Sequence, residues 1–238
     1  MFLKAAVNGG RSKAEHPAVP VTARELAVDT AAVIAAGADV VHLHVRDEDG
    51  GQTIRPDALA EVLREIRSTA PGANLGTTTG LWTCSGPEER YALVKAWEVL
   101  PDFASVAFSE EGATETASLV VARGMDLESA VWSTDDVPAL LASPTLHANV
   151  RVLIEPMDTD PETAVAHARE MAARIRAAGV ACPLLYHGED ATTWPVLRAA
   201  LEDGHQTRIG FEDGIHLPDG TPAPDNTALV RAARAMTV

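Results

Sequence analysis

The chain has 238 residues, with 34 acidic against 19 basic side chains and a formal net charge of −15. So negative a surface repels nucleic acid and anionic lipid and argues against both as partners, and an anionic substrate needs a local positive site, from a metal ion or buried arginines. Cys84 and Cys182 fit no disulfide or metal-ligand framework, the opening "MFLKAAVNGG" lacks signal-peptide architecture, and no apolar run is long enough to cross a bilayer, so a cytoplasmic protein is expected.

In chain order, short β-like runs alternate with stretches of helical periodicity. "LKAAVN" from Leu3 precedes "TARELAVDTAAVIAAG", where Thr22 reads as N-cap, Glu25 completes a capping box and Gly37 is the stop. "DVVHLHV" from Asp39 is followed by "PDALAEVLREIRS", and "NLGTTT" from Asn74 by "PEERYALVKAWEVL". "FASVAF" from Phe103 and "LESAVW" from Leu127 precede shorter helical segments at 113–123 and 134–142. "VRVLIE" from Val150, "PLLYH" from Pro183 and "TRIGFE" from Thr207 complete the strands, with "DPETAVAHAREMAARIRAAG" and "WPVLRAALEDG" between them. Eight strands alternating with helices imply parallel pairing, and eight is the number at which such a sheet closes. The expected fold is α/β, a (β/α)8 barrel forming a single domain over residues 1–238 with short loops. A doubly wound open sheet is the competitor, but no G-x-G-x-x-G follows the first strand, and "VNGGRSK" lacks P-loop spacing.

The second strand carries the chemistry. In "DVVHLHVRDEDG" Val41, Leu43 and Val45 share one face, while His42, His44 and Arg46 share the other. Catalytic groups of a barrel gather at the C-terminal strand ends. Asn8 ends strand one, Thr77 and Thr79 end strand three, Ser109 follows strand four, Glu128 lies on strand five and His187 ends strand seven. On strand eight Arg208, Gly210 and Glu212 share a face, and Asp213 follows. Asn8, Arg46, Thr79 and Ser109 are the substrate-binding candidates. Two imidazoles plus the Glu212 carboxylate match zinc's preferred ligand types, with Asp213 free to act as a base. The competing reading is a pair of hydrogen-bonded core histidines. Among three lysines only Lys13 is placed near a barrel mouth, in a loop, which disfavours a Schiff-base mechanism. Cys84 precedes a helix but has no evident base.

Together "VVHLHVRDEDGG" and "RIGFEDG" resemble the β-keto acid cleavage enzymes, and "AAVNGG…HPAVPVTAREL" and "LPDGTPAPDNTALVRAA" extend the resemblance over nearly the whole chain. The resemblance implies a (β/α)8 barrel and a divalent metal, usually zinc, on His42, His44 and Glu212. It also implies substrate activation by Arg208 and Asp213, with Glu128 as the match for an acid on strand five. Such enzymes convert a β-keto acid and acetyl-CoA into acetoacetate and a new acyl-CoA. A symmetric homo-oligomer, dimer or tetramer, is expected for barrels of this kind. Strand four reads "SVAFSEEG", strand five "LESAVW" has Ala130 where a second acid is usual, and the first loop carries Arg11, Ser12 and Lys13. These departures favour a β-keto acid other than 3-keto-5-aminohexanoate. A metal-dependent barrel lyase or aldolase that does not use CoA, and a non-catalytic metal- or ligand-binding barrel, are the alternatives.

Overall fold

The computed structural model describes residues 1–236. In chain order the elements are β1 (Leu3–Ala6), α1 (Ala23–Ala35), β2 (Val40–Leu43), β3 (Val45–Arg46), β4 (Gln52–Thr53) and α2 (Pro56–Thr69). They continue with β5 (Leu75–Thr78), α3 (Pro87–Ala96), β6 (Phe103–Ala107), α4 (Ala113–Ala122), β7 (Asp126–Val131) and α5 (Val137–Leu141). The last are β8 (Asn149–Ile154), α6 (Pro161–Ala177), β9 (Leu184–Tyr186), α7 (Thr193–Glu202), β10 (Gln206–Ile209) and α8 (Asn226–Arg234). Eight parallel strands close in the order β1-β10-β9-β8-β7-β6-β5-β2, the expected barrel. No helix among the described residues is long and apolar enough to cross a membrane.

Local chemistry accounts for the element ends. Thr22 Oγ1 accepts from Glu25 N at 3.2 Å and Glu25 Oε2 accepts from Thr22 N at 3.0 Å, the capping box read from the sequence. The run "HLHVRD" does not continue as one strand. β2 stops at Leu43, and Val45–Arg46 pairs instead with Gln52–Thr53 as an antiparallel hairpin outside the barrel. Asp47 Oδ1 holds the turn, accepting from Asp49 N at 3.0 Å and Gly51 N at 2.7 Å. An aspartate that satisfies backbone donors this way competes with strand continuation.

Register assigns the barrel interior. Ala6 pairs with His42, His42 with Gly76 and Gly76 with Phe103, so these residues point inward together. Inward positions of the other strands include Ser105 and Ala107, Glu128 and Ala130, and Arg151 and Leu153. Ala107, Ala130, Leu153 and Leu185 form a small apolar layer across the middle, separate from the large core between barrel and helices. Below it lies an ionic layer. Glu128 takes Lys4 Nζ on one oxygen and Arg151 Nη1 on the other, and Arg151 Nε also donates to Gln206 at 3.0 Å. Phe2 closes this end, its ring 4.5 Å from the Arg151 guanidinium. Burial pulls the Lys4 ammonium down to about 8, against the attraction of Glu128. Removing one partner would strand a buried charge, a loss of about 3–5 kcal/mol.

The seam between first and last strands has no room for a side chain. A Cβ on Gly210 would lie 1.9 Å from Ala6 O. Asn226, fully buried at the start of α8, stitches the same seam. Its Nδ2 donates to Val7 O and to Asp29 Oδ2, both at 2.7 Å, while its Oδ1 accepts from Phe211 N at 2.7 Å. The backbone leading into Glu212 is therefore held from α1 and α8 at once.

Candidate active site

At the C-terminal end of the barrel His42 Nε2 and His44 Nε2 lie 3.0 Å apart. Glu212 Oε2 is 3.6 Å from the first and Oε1 is 3.5 Å from the second. One donor atom from each residue lies within 4.8 Å of the others. The tautomer of His44 follows from its neighbours. Trp82 Nε1 can only donate, and it reaches Gln52 Oε1 at 3.1 Å, so that atom is the amide oxygen. The same oxygen contacts His44 Nδ1, which must carry the proton. In that tautomer the neutral ring presents its Nε2 lone pair toward His42 and Glu212, as a metal ligand would. Burial keeps the His42 imidazole well below its usual range, hence neutral. Burial alone would raise Glu212, but the Arg208 guanidinium, with Nη2 at 3.2 Å, holds it well below the usual carboxylate range.

Two observations bear on whether this donor set fits a divalent ion. Glu212 Oε2 is buried and has no hydrogen-bond partner among the described residues, a costly arrangement for a carboxylate oxygen. Two imidazole nitrogens and one carboxylate, gathered at one end of a cavity, are also the donor types that leave a position open for substrate. His42, His44 and Glu212 fit the group.

Asp213 sits beside them, almost wholly buried. Its Oδ1 accepts from Arg208 Nε at 2.9 Å and Nη2 at 2.7 Å. Its Oδ2 has no partner among the described residues. The backbone is pinned, with Asp213 O accepting from Thr193 Oγ1 and Asp190 N, both at 2.6 Å. Burial raises the carboxyl to about 6, opposed by Arg208. His187 Nδ1 lies 3.6 Å from Asp213 Oδ1, and its Nε2 lies 3.5 Å from Glu155 Oε2. Burial, reinforced by Arg208, pushes His187 down to about 3 and keeps it neutral.

These groups border a cavity of about 440 Å³ whose walls include His44, Glu155, His187, Arg208, Glu212 and Asp213. A narrow neck of about 50 Å³ leads down past Thr78 and Ser105 to Ala107, Ala130 and Leu153. Trp82 and Trp132, ring centroids 6.3 Å apart, form the lip, with Trp82 stacked on His44.

The structure brings His42, His44, Arg208, Glu212 and Asp213 together and places the other candidates elsewhere. Asn8 is buried and spends its amide on the backbone, donating to Pro20 O and His44 O and accepting from His44 N at 2.8 Å, so it positions the histidine strand and lines no part of the cavity. Arg46 lies on the hairpin, where its guanidinium binds Gly9 O and Arg11 O and braces the first loop. Thr79 Oγ1 donates to Ser105 O at 2.7 Å, and by alternation Thr78 faces the neck instead. Ser109 is exposed, two residues past the end of β6, and Ser105 occupies the inward position. Glu128 is one layer too deep. Its carboxylate is consumed by Lys4 and Arg151 beneath the alanine–leucine layer, and it touches neither Arg208 nor Asp213.

Sequence reasoning missed Glu155, Gln52 and the two tryptophans. For Glu155 the signal was present: in "VRVLIE" Arg151, Leu153 and Glu155 share a face, opposite Val150, Val152 and Ile154. Gln52 and Trp82 reach the site from a hairpin and a 3-10 turn, where no periodicity reports orientation.

A profile of the β-keto acid cleavage enzyme family matches residues 1–237. The chain belongs to that family. As a member of the β-keto acid cleavage enzymes it is 30% identical to the 3-oxoadipate:acetyl-CoA acetyltransferase of Cupriavidus necator, an alignment covering 94% of this chain and 83% of the relative. It is 24% identical to the 3-keto-5-aminohexanoate cleavage enzyme of Fusobacterium nucleatum, over 97% of this chain and 88% of that one. Among solved structures, apo ObcA superposes with a TM-score of 0.76 at 18% identity, covering 92% of this chain and 61% of ObcA, which establishes likeness of fold.

Gly9 makes the close approach to Glu212 possible. Its φ is +52°, and a Cβ there would lie 2.3 Å from Glu212 Cγ. Gly9→Ala is expected to displace the carboxylate and weaken divalent-metal binding by about 10–100-fold, read by metal titration of chelator-stripped protein. Unchanged affinity would mean that the first loop yields instead of Glu212.

Proposed function

We propose that the protein is a zinc-dependent acyltransferase that converts a β-keto acid and acetyl-CoA into acetoacetate and a new acyl-CoA. The observation that carries this reading is the convergence of His42, His44 and Glu212 within 4.8 Å, beside a buried Asp213 whose second oxygen is uncommitted. Two imidazoles and one carboxylate favour zinc among common divalent ions. When bound, the ion supplies Lewis-acid polarisation of the substrate carbonyl.

The chain's own groups account for the remaining steps. Asp213 Oδ2 removes a proton from the carbon between the keto and carboxylate groups. Arg208 fixes that base through two hydrogen bonds to Oδ1 and places positive charge beside the developing enolate. The α-carbon then attacks the thioester carbonyl of acetyl-CoA, and CoA leaves as thiolate. That thiolate attacks the original keto carbon, and the bond from this carbon to the α-carbon breaks. Asp213 returns its proton to the released α-carbon, so acetoacetate departs, and the original acyl group leaves on CoA. Trp82 and Trp132 at the lip restrict water, which would otherwise hydrolyse the thioester.

The neck between Ala107, Ala130 and Leu153 favours a short, uncharged substituent on the keto carbon. 3-Oxoadipate, named for the Cupriavidus relative, carries a second carboxylate and provides the contrast. The test is mass-spectrometric detection of acyl-CoA products from 3-oxopentanoate and 3-oxoadipate with acetyl-CoA, before and after metal removal. The expected products are propanoyl-CoA and acetoacetate, lost on chelation and restored by zinc. No acyl exchange with either acid, or exchange indifferent to the metal, would overturn the reading.

A further inference from the structure

Acetyl-CoA brings several phosphate charges to a chain of net charge −15, so its nucleotide end needs a cation that the protein has not already neutralised. Around the cavity mouth most cations are committed. Arg11 pairs with Asp190 and donates to Phe211 O, Lys13 pairs with Glu25 at 2.7 Å, Arg46 binds two loop carbonyls, and Arg208 holds Asp213 and Glu212. Arg198 is different. It is exposed on α7 and makes no ion pair or side-chain hydrogen bond among the described residues.

Arg198 borders a separate cleft of about 470 Å³, with Trp194, His216, Leu217 and Pro218 among its walls. The cleft lies in the loops after β9 and β10, the seventh and eighth strands of the barrel, beside the start of α7. Those loops and a nearby helix N-terminus are where (β/α)8 barrels commonly hold phosphate. Trp194 is fixed there by donating Nε1 to His216 O at 2.9 Å, giving a firm apolar wall. Only one layer of chain divides this cleft from the catalytic cavity. Glu189 and Asp213 line the cavity, their neighbours Asp190 and Gly214 line the cleft, and Asp190 N donates to Asp213 O at 2.6 Å across the divide.

We infer that this cleft binds the phosphorylated nucleotide end of acyl-CoA, with Arg198 contacting its phosphates and the pantetheine arm crossing the Asp190–Gly214 ridge to bring the thioester to Asp213. The inference rests on acetyl-CoA being the co-substrate. It makes Arg198 a determinant of CoA affinity with no part in the chemistry.

The test is calorimetric titration of the metal-loaded protein with CoA, 3′-dephospho-CoA and pantetheine, for wild type, Arg198→Gln and Arg198→Glu, with KM values measured in parallel. Arg198→Glu is expected to weaken CoA about tenfold or more and to leave pantetheine unchanged. The KM for acetyl-CoA rises accordingly, while kcat and the KM for the β-keto acid stay at wild-type values. A wild-type preference for CoA over its dephospho form that disappears in the variants assigns the 3′-phosphate to Arg198. Weakening equal for both nucleotides assigns the diphosphate. CoA affinity unchanged in Arg198→Glu, or an equal loss for pantetheine, overturns the inference, as does wild-type protein that fails to bind CoA. Arg198-dependent CoA binding without turnover counts against the proposed reaction and leaves the cleft assignment standing.

Discussion

His42→Ala is expected to lose its divalent ion and to reduce turnover by more than about 10³-fold. The substitution leaves two of three donors, His44 and Glu212, and opens the buried wall they share. Arg208 then becomes the nearest positive partner of Glu212, at 3.2 Å, and the carboxylate is free to swing toward it. Metal content by mass spectrometry and kcat/KM for acyl exchange are the paired readouts. The rival account, in which the two imidazoles merely hydrogen-bond to each other, predicts lower thermal stability with no change in metal content. Wild-type metal stoichiometry in His42→Ala, or wild-type protein that takes up no divalent ion, would remove the metal from the mechanism.

Asp213→Asn is expected to keep its metal and lower kcat by about 10²–10⁴-fold, the range for removing a positioned general base. The isosteric amide can still accept from Arg208 through its oxygen, so local geometry survives while the basic Oδ2 becomes a donor. Arg208 keeps Glu212 at 3.2 Å and Glu155 at 4.0 Å as counter-charges, which limits the effect on folding. Retained metal with lost turnover separates this variant from His42→Ala. A kcat within about tenfold of wild type would move the proton-accepting role away from Asp213, and His187 with Glu155 would be the next groups to test.

Much of the fold was legible because its signals are local. Eight apolar runs spaced by helical periodicity correspond to the eight barrel strands, and the Thr22–Glu25 cap and the Gly37 stop are realised as read. Short-range alternation also placed His42, His44 and Glu212 on inward faces, and the closed barrel brought those faces together. The failures share a cause: each needed a distance along the barrel axis or a contact between segments remote in sequence. Glu128 and Glu155 both point inward, yet strand register puts one beneath the alanine–leucine layer and the other in the cavity wall. Three consecutive threonines cannot be told apart until Gly76 is known to pair with His42. Asn8 and Arg46 are polar at a strand end or turn, as ligand contacts often are, but nearby backbone carbonyls claim them first. Lys4 sits near the start of β1, away from the C-terminal strand ends, and no local pattern reports its partner. It is buried inside the barrel, its amine held by Glu128.

Composition and period-two and period-3.6 patterns alone determined the class of fold, the strand count and the residue types available for chemistry, because backbone geometry turns sequence spacing directly into side-chain direction. Closure of the sheet decided the rest: which inward residues share a level, which charges cancel each other, and which polar atoms are left facing an open cavity. Those outcomes depend on pairing between strands as far apart in sequence as Lys4 and Arg208, neighbours in the barrel. No rule of local spacing reaches that far.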